Sequence, residues 1–254
     1  MKAFGLMLLC SLFLFACTET PPDEESEEKP EQVEELSDEE FLRRYMTGKL
    51  GIPATEKYTF KIYQEKLDGD DVPDYVATIN RLDFALNEAI ENGNVAKRAE
   101  VGYMGTYNYV VYMNGATRAL SAVIPVPSSP HAQLRVRFEK IRSEAYSDIL
   151  VDFRIRNSGW TRFFTVIRDQ PMQTFEMKTF DGLGTAQKEA FSVVYEKGSY
   201  SLAKDIVVYK ATLEDMEFED PLSVYTADPE ITPTQVLDRR WFFHDQAGKY
   251  YTEK

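Results

Sequence analysis

Residues 147–157 read SDILVDFRIRN, and the way they alternate decides the fold. Ile149, Val151, Phe153 and Ile155 fall on one side of an extended chain, and Asp148, Leu150, Asp152, Arg154 and Arg156 on the other. Successive side chains of a strand point to opposite faces, so this period of two describes a half-buried strand with one wet face. Residues 132–141 (AQLRVRFEKI) do the same, setting Leu134, Val136 and Phe138 against Arg135 and Arg137. Further outward, residues 58–64, 74–80, 107–114, 118–126, 160–167, 174–180, 191–196, 205–212 and 240–244 are rich in Val, Ile, Tyr and Phe, the residues that suit a pleated surface. Turn signals punctuate them at Asn114-Gly115, Asn157-Ser158-Gly159, Asp181-Gly182 and Lys197-Gly198. Many short strands joined by turns predict a mainly β (β-rich α+β) fold, an antiparallel sandwich or partly open barrel with a short N-terminal helix.

The helix is signalled by Ser37-Asp38-Glu39-Glu40 ahead of Phe41-Leu42-Arg43-Arg44-Tyr45-Met46. Ser37 is the expected N-cap and Glu40 its reciprocal partner, with Gly48 and Gly51-Ile52-Pro53 as the stop. A second helix is expected from about Asp83 to Arg98, interrupted at Asn92-Gly93-Asn94. Residues 226–238 (TADPEITPTQVLD) carry two prolines near the end and read as a strap laid on the sheet. No repeat of period 20–50 is present.

The chain starts MKAFGLMLLCSLFLFACTET. Lys2 is a short positive region, and the apolar run from Phe4 to Ala16 has the length of a signal-peptide core; a membrane-spanning helix needs about 20 residues. The run ends in Leu14-Phe15-Ala16-Cys17, which resembles the lipobox of bacterial lipoproteins. The resemblance implies cleavage before Cys17, a diacylglyceryl thioether on its sulfur and a further acyl chain, of the palmitate type, on its freed amine. Two or more chains anchor stably in a lipid bilayer where one does not. Thr18 follows the cysteine, which by the sorting rule of enteric bacteria implies the outer membrane. Residues 1–16 are thus expected to be a lipoprotein signal peptide, 17–40 a disordered acidic tether and 41–254 a β-rich globular domain.

The tether carries the acidity. Residues 18–40 hold twelve Asp/Glu and one lysine, so of the formal −13 only −3 falls on residues 41–254. Such a segment buries too little apolar surface to repay its ordering entropy. It also resembles, in composition, the surface-export signals of Bacteroidetes lipoproteins. Both cysteines lie before residue 18, so the globular part has neither disulfide nor catalytic thiol. An acidic chain without a basic stripe disfavours nucleic acid as a partner.

Four chemistries have candidate residues. Residues 66–74 resemble the aspartate-rich calcium loops of VCBS and integrin-type repeats. Asp68, Asp70 and Asp74 fall at the third, fifth and ninth positions of that pattern, with Asp71 beside them. The resemblance implies calcium, which takes six to eight oxygens. Lys66 at the first position and Asp71 in place of glycine depart from it, and an acidic hairpin turn at Asp68-Gly69 accounts for the same residues. The strand 147–157 offers Asp148 and Asp152, a carboxylate pair for a polysaccharide hydrolase or one side of a cross-strand charge ladder with Arg154 and Arg156. Trp160, Tyr107 and Tyr109 are candidate aromatic contacts for a sugar or a protein partner, or else packing. The only histidines, His131 and His244, are not spaced as a zinc pair, and His131 is placed in a surface turn after Ser128-Ser129-Pro130. No nucleophile elbow, P-loop or dinucleotide fingerprint occurs.

The expectation is therefore an envelope-anchored lipoprotein with a β-rich binding or structural domain, stabilised by calcium if the loop is a metal site. Its ligand would be a glycan or an envelope protein. A hydrolase acting through paired carboxylates and an accessory subunit of an outer-membrane complex are the alternatives. Cys17→Ala is expected to abolish incorporation of a palmitate analogue and to release the protein from membranes; undiminished labelling would refute lipidation.

Overall fold

The computed structural model describes residues 36–93 and 105–252. The segment expected to be a signal peptide and nearly all of the expected tether, with Cys17, lie outside them, as does the end of the second expected helix. The elements run α1 (Asp38–Leu50), β1 (Thr59–Glu65), β2 (Asp74–Asn80), α2 (Leu82–Glu91), β3 (Asn108–Met113), β4 (Ile124–Pro125), β5 (Arg135–Glu139), β6 (Asp148–Ile155), β7 (Ser158–Ile167), β8 (Gln170–Asp181), β9 (Glu189–Glu196), β10 (Asp205–Leu213), β11 (Ile231–His244) and β12 (Lys249–Tyr251). A 3₁₀ turn, Pro221–Tyr225, lies between β10 and β11. The architecture is mainly β, two antiparallel sheets with two helices and no closed barrel among the described residues.

Each helix end follows its chemistry. Ser37 Oγ accepts the Glu40 N–H while Glu40 reaches back to the Ser37 N–H, a complete capping box, and Gly51 closes the helix in the left-handed conformation at φ 60°. Ser37 to Glu40 are thus part of the ordered first turn of α1. α2 stops at Asn92, where the Asn-Gly signal lies.

The small sheet has strand order β1-β2-β3-β4 and the large sheet β12-β11-β10-β9-β8-β7-β6-β5, a continuous meander. The small sheet lays Val76, Val110, Tyr112 and Val126 against Val136, Ile149, Val151, Phe153 and Phe164 of the large one. On its opposite face, Leu42 and Met46 of α1 cover Ala77, Ile79, Val111 and Met113. β3 is consequently buried at every residue. The expected wet face is absent there because a helix occupies it, which a strand's own alternation does not report.

The large sheet also covers its second face, by bending over itself. β8 and β9 share only two ladder pairs, Phe180↔Ala190 and Asp181↔Glu189. Beyond them the two arms diverge and face each other. Leu150, Phe163 and Phe175 from one arm meet Ile206, Val208, Phe243 and Tyr250 from the other. Phe180, Leu183, Ala190 and Leu213 fill the bend. The proline-bearing segment divides: residues 226–229 cross the open side of the bend, and from Ile231 the chain is β11, with Pro233 opposite Ala211 beside a register shift. A strand tolerates proline at such an irregularity.

Three buried aspartates pin the loops. Asp74, Asp148 and Asp205 each begin a strand, and each carboxylate accepts a backbone N–H from the loop before it. The donors are Leu67 at 3.1 Å, Arg142 at 2.8 Å and Ser199 at 3.2 Å. Asp74 also accepts from the Tyr112 hydroxyl and the Gly115 N–H, both at 3.0 Å. Asp148 takes the Thr165 hydroxyl, and Asp205 takes the Ser199 hydroxyl and Arg240. Gly115 is required by this approach, since a Cβ there would stand 2.0 Å from the Pro73 carbonyl oxygen.

Asp74→Ala strands several buried donors, and each orphaned group costs about 1–3 kcal/mol. Urea unfolding is expected to register a loss of at least about 1–3 kcal/mol for Asp74→Ala and little change for Asp71→Ala, whose carboxylate lies in solvent. Equal losses would show that the loop and not the buried carboxylate sets the stability.

Candidate ligand cleft

Bending leaves a gap where the arms have not yet met. It is a cleft of about 750 Å³, within the roughly 300–1,000 Å³ typical of small-molecule sites. The strand period places its floor. Arg135 and Arg137 of β5, Asp152 and Arg154 of β6 and Thr161 and Phe163 of β7 share one face through the pairings Arg135↔Asp152, Asp152↔Thr161 and Leu150↔Phe163. Phe191, Val193 and Tyr195 of β9 form the opposite wall, and residues 226–229 the rim.

The polar half of the cleft is a connected network. Arg137 grips Asp152 with two parallel bonds, Nε to Oδ2 at 2.7 Å and Nη2 to Oδ1 at 3.0 Å. The Thr161 hydroxyl donates to the same carboxylate at 2.6 Å. Arg135 reaches Asp152 only at 3.4 Å and Asp228 on the rim at 3.2 Å, and its side chain is 62% exposed. Hydrogen bonding to Asp152 raises the Arg137 pKa. Arg154 donates from Nη1 to the Ala227 carbonyl at 2.5 Å and from Nη2 to the Val224 carbonyl at 2.9 Å, so it holds the rim segment to β6. Its guanidinium lies 4.6 Å from the Phe180 ring centroid. Burial pushes its pKa down to about 10, against the opposing pull of Asp228. Burial also raises the Tyr195 hydroxyl and lowers His131.

Three residues that line this cleft each hold a buried nitrogen without a hydrogen-bond partner, Arg154 Nε, Trp160 Nε1 and His131 Nε2; the Trp160 ring lies on the face of β7 turned to the small sheet, so the three do not converge on the opening. His131 is half-buried, which corrects the surface placement; Pro130 turns the chain inward and the ring closes one end of the cleft.

The other candidates are dispersed. Trp160 borders the cleft only through its strand: its ring lies on the other face of β7, nearly parallel to Phe153 at 17° and 6.4 Å and packed against the small sheet. Tyr109 is buried beneath α1, its hydroxyl bonded to the Thr106 carbonyl. Tyr107 donates to Glu88 at 2.7 Å, and burial pushes its pKa up to about 12. Neither tyrosine lines the cleft. In the loop 66–74, Asp68 accepts from the Asp70 N–H and from Asn114, Asp70 accepts from the Val72 N–H, Asp71 pairs with Lys66 and Asp74 is the buried pin described above. These are the bonds of a structured acidic turn. Among the described residues no three His, Cys, Asp or Glu side chains form a group able to hold a metal ion. Asp148 and Asp152 share a sheet face, but four residues along a strand span about 13 Å, against about 5–9.5 Å between glycosidase carboxyl groups. Arg135, Arg137 and Asp152 form the cross-strand ladder instead.

No family of known proteins, curated protein or solved structure matches the chain. The cleft therefore has to be read from its own chemistry.

The lowered pKa of His131 has a sign. The unfolded chain takes up a proton near the ordinary value of about 6.5, before the folded chain does. The stability it contributes is present above that value and is lost as pH falls through the lower folded pKa. Unfolding midpoints measured at pH 7 and pH 5 are expected to fall less for His131→Gln than for the wild type. An identical fall would show that another group carries the acid sensitivity.

Proposed function

We propose that this chain is a lipid-anchored envelope protein whose β-rich domain binds a small glycan in the cleft between the arms of its large sheet. The observation that carries the reading is the cleft itself. It is concave, of small-molecule size, apolar on the Phe163, Phe191 and Val193 side and crowded with planar hydrogen-bonding groups on the other. A protein partner would call for a broad face, whereas a sugar ring presents one apolar side and many hydroxyls. Fork-shaped guanidinium and carboxylate groups suit paired hydroxyls. The lipobox at Cys17 supports the envelope address and outer-membrane retention, and the acidic segment gives the domain reach.

A second reading has its own observation. Val194 of β9 and Leu237 of β11 are 47% and 55% exposed on one face, either side of β10, an apolar surface of the kind an accessory subunit of an outer-membrane complex would offer to a protein partner.

The chain is expected to retain particular oligosaccharides on a glycan array without releasing product. Arg135→Gln, at an exposed side chain of the cleft, is expected to weaken that retention about tenfold. Product release would move the protein to the hydrolases. Stoichiometric recovery of a partner protein with no retained sugar would favour the second reading.

A further inference from the structure

We propose that the end of the domain carrying the hairpin loops 140–147, 168–169 and 197–204 rests on a bilayer, with Leu202 and Tyr200 seated at the lipid interface. The inference rests on the lipid-anchor reading of Cys17 and names the face that the anchored domain turns to the membrane.

The two most exposed large apolar side chains among the described residues are Leu202 and Tyr200, at 100% and 70%. They stand on one loop, and that loop is built to hold them out. The Ser199 N–H and hydroxyl both bond Asp205, at 3.2 and 2.6 Å, Ala203 is buried, and the Lys204 carbonyl accepts the Tyr250 hydroxyl at 2.9 Å. A Cβ on Gly198 would stand 2.0 Å from the Ala203 carbonyl oxygen, so the loop doubles back tightly on itself. The Tyr200 ring leans on Phe242, with centroids 4.9 Å apart. An apolar tip fixed in water does nothing for the fold. A leucine and a tyrosine flanked by lysines, here Lys197 and Lys204, suit a membrane interface, where the ring sits at headgroup level and the lysine stems reach back to water.

Two further observations point this loop at a bilayer. Its neighbours at the same end are also apolar: Val72, Ile167 and Met172 are 41%, 44% and 52% exposed. The chain also enters the fold at that end. The Leu36 carbonyl accepts Arg118 Nη2 at 2.9 Å. Asn114, whose carbonyl accepts the Arg118 N–H, donates to Asp68 at 2.9 Å. Lys66 of that same loop accepts the Ser147 N–H at 2.9 Å, and Ile141, in the connection before β6, accepts the Lys204 N–H at 2.8 Å. A bonded path thus runs from the point where the expected tether joins the fold to the loop that carries Leu202. Cys17 lies nineteen residues before Leu36, at most about 65 Å of chain. An anchor there holds the loop at high local concentration over the membrane, where side chains too few to bind unaided suffice to orient the domain. Asp70 and Asp71 lie on the neighbouring loop, so apolar insertion and not headgroup charge drives the contact. Arg135, which opens β5, and Asp228 of the rim lie at the opposite end, and the cleft faces away from the bilayer.

The test uses the full acylated protein in vesicles of phosphatidylethanolamine and phosphatidylglycerol, some of whose lipids carry a nitroxide on the upper acyl chain. On the anchor reading Cys10 is removed and Cys17 blocked, so Leu202→Cys and Ala186→Cys each offer one thiol to a bimane label. Both positions are exposed, and Ala186 lies in the turn between β8 and β9 at the opposite end. Bimane at 202 is expected to sit about 5–10 Å into the interface and to be quenched at least about threefold more than bimane at 186. It should be shielded from aqueous iodide, and high salt should not reverse either effect. With the label moved to Met172→Cys, Leu202→Asp should cut the quenching at least about twofold; undiminished quenching would overturn the proposal. Equal quenching at 202 and 186 would overturn it too and leave the anchor standing. Shielding from iodide without lipid quenching would assign the loop to a protein partner and overturn the lipid contact. A wild-type chain that takes the label at Cys17, or fails to float with the vesicles, would overturn the anchor and the proposal together.

Discussion

A sheet that lays one face on a second sheet has to cover its other face with something, and here that cover is the sheet itself. The strands β5 to β8 are committed on one side to the small sheet through Ile149, Val151, Phe153 and Phe164. Their other side carries Leu150, Phe163 and Phe175, which water would penalise at about 25 cal/mol per Å² of apolar surface. Among the described residues no helix packs on them. β9 to β12 fold over and bury them under Ile206, Val208 and Phe243. The bend needs a place where the ladder lets go, and the two-pair junction of β8 and β9 supplies it. The cleft is the geometric remainder of that bend. It exists because two twisted arms that touch at one end stand apart at the other, and charged side chains occupy the part that the apolar core does not fill.

Buried aspartates fix the connections in both sheets. Asp74, Asp148 and Asp205 give the loops before β2, β6 and β10 a fixed acceptor inside the protein, so each hairpin enters its strand in one register. Burial holds the carboxyls of Asp74 and Asp148 above the ordinary range, against the hydrogen bonds that pull them down. A group whose folded pKa is raised favours folding at low pH and gives up that contribution as pH rises through the folded value. Acid therefore does not release these pins first. Among the carboxylates it does weaken are Asp71 and Glu144, held low by Lys66 and Lys204, and Glu40, held low by its hydrogen bonds from Ser37.

Much of this was legible in the chain, for reasons that are local. Period-two alternation located the strands, and the capping box and Gly51 bounded α1. The hairpin at Asp68-Gly69 was signalled by its turn chemistry. What escaped was either non-local or chemically atypical. β3 reads like its neighbours, and only tertiary contact reveals that both its faces are dry. The turn between β7 and β8 has Arg168 and Asp169 at φ 53° and 58°, positions where Asn-Gly is the usual signal, so nothing marked it. The pins did leave a trace: Asp74-Tyr75-Val76, Asp148-Ile149-Leu150 and Asp205-Ile206-Val207 repeat one pattern, an aspartate opening an apolar strand. Read together, the three would have pointed away from metal at Asp74 and from catalysis at Asp148. The cleft had no such trace, because its lining is drawn from residues 131 to 231 and its candidates, Asp152, Arg154 and His131, read as unrelated features.

The fold also explains why charge collects where it does. Arg135, Arg137, Asp152 and Arg154 all lie on the face that β9 to β12 cover. In an ideally closed sandwich they would have to be replaced by apolar residues or paired completely, since an unpaired buried charge is among the costliest features a core can hold. Arg137 and Asp152 are paired, and their fork geometry with Thr161 makes them tolerable near the core. Arg154 bonds neutral partners, tying residues 224 and 227 to β6 through two carbonyls, while Asp228 on the rim acts on it as the nearby counter-charge and works against the cost of burying a cation.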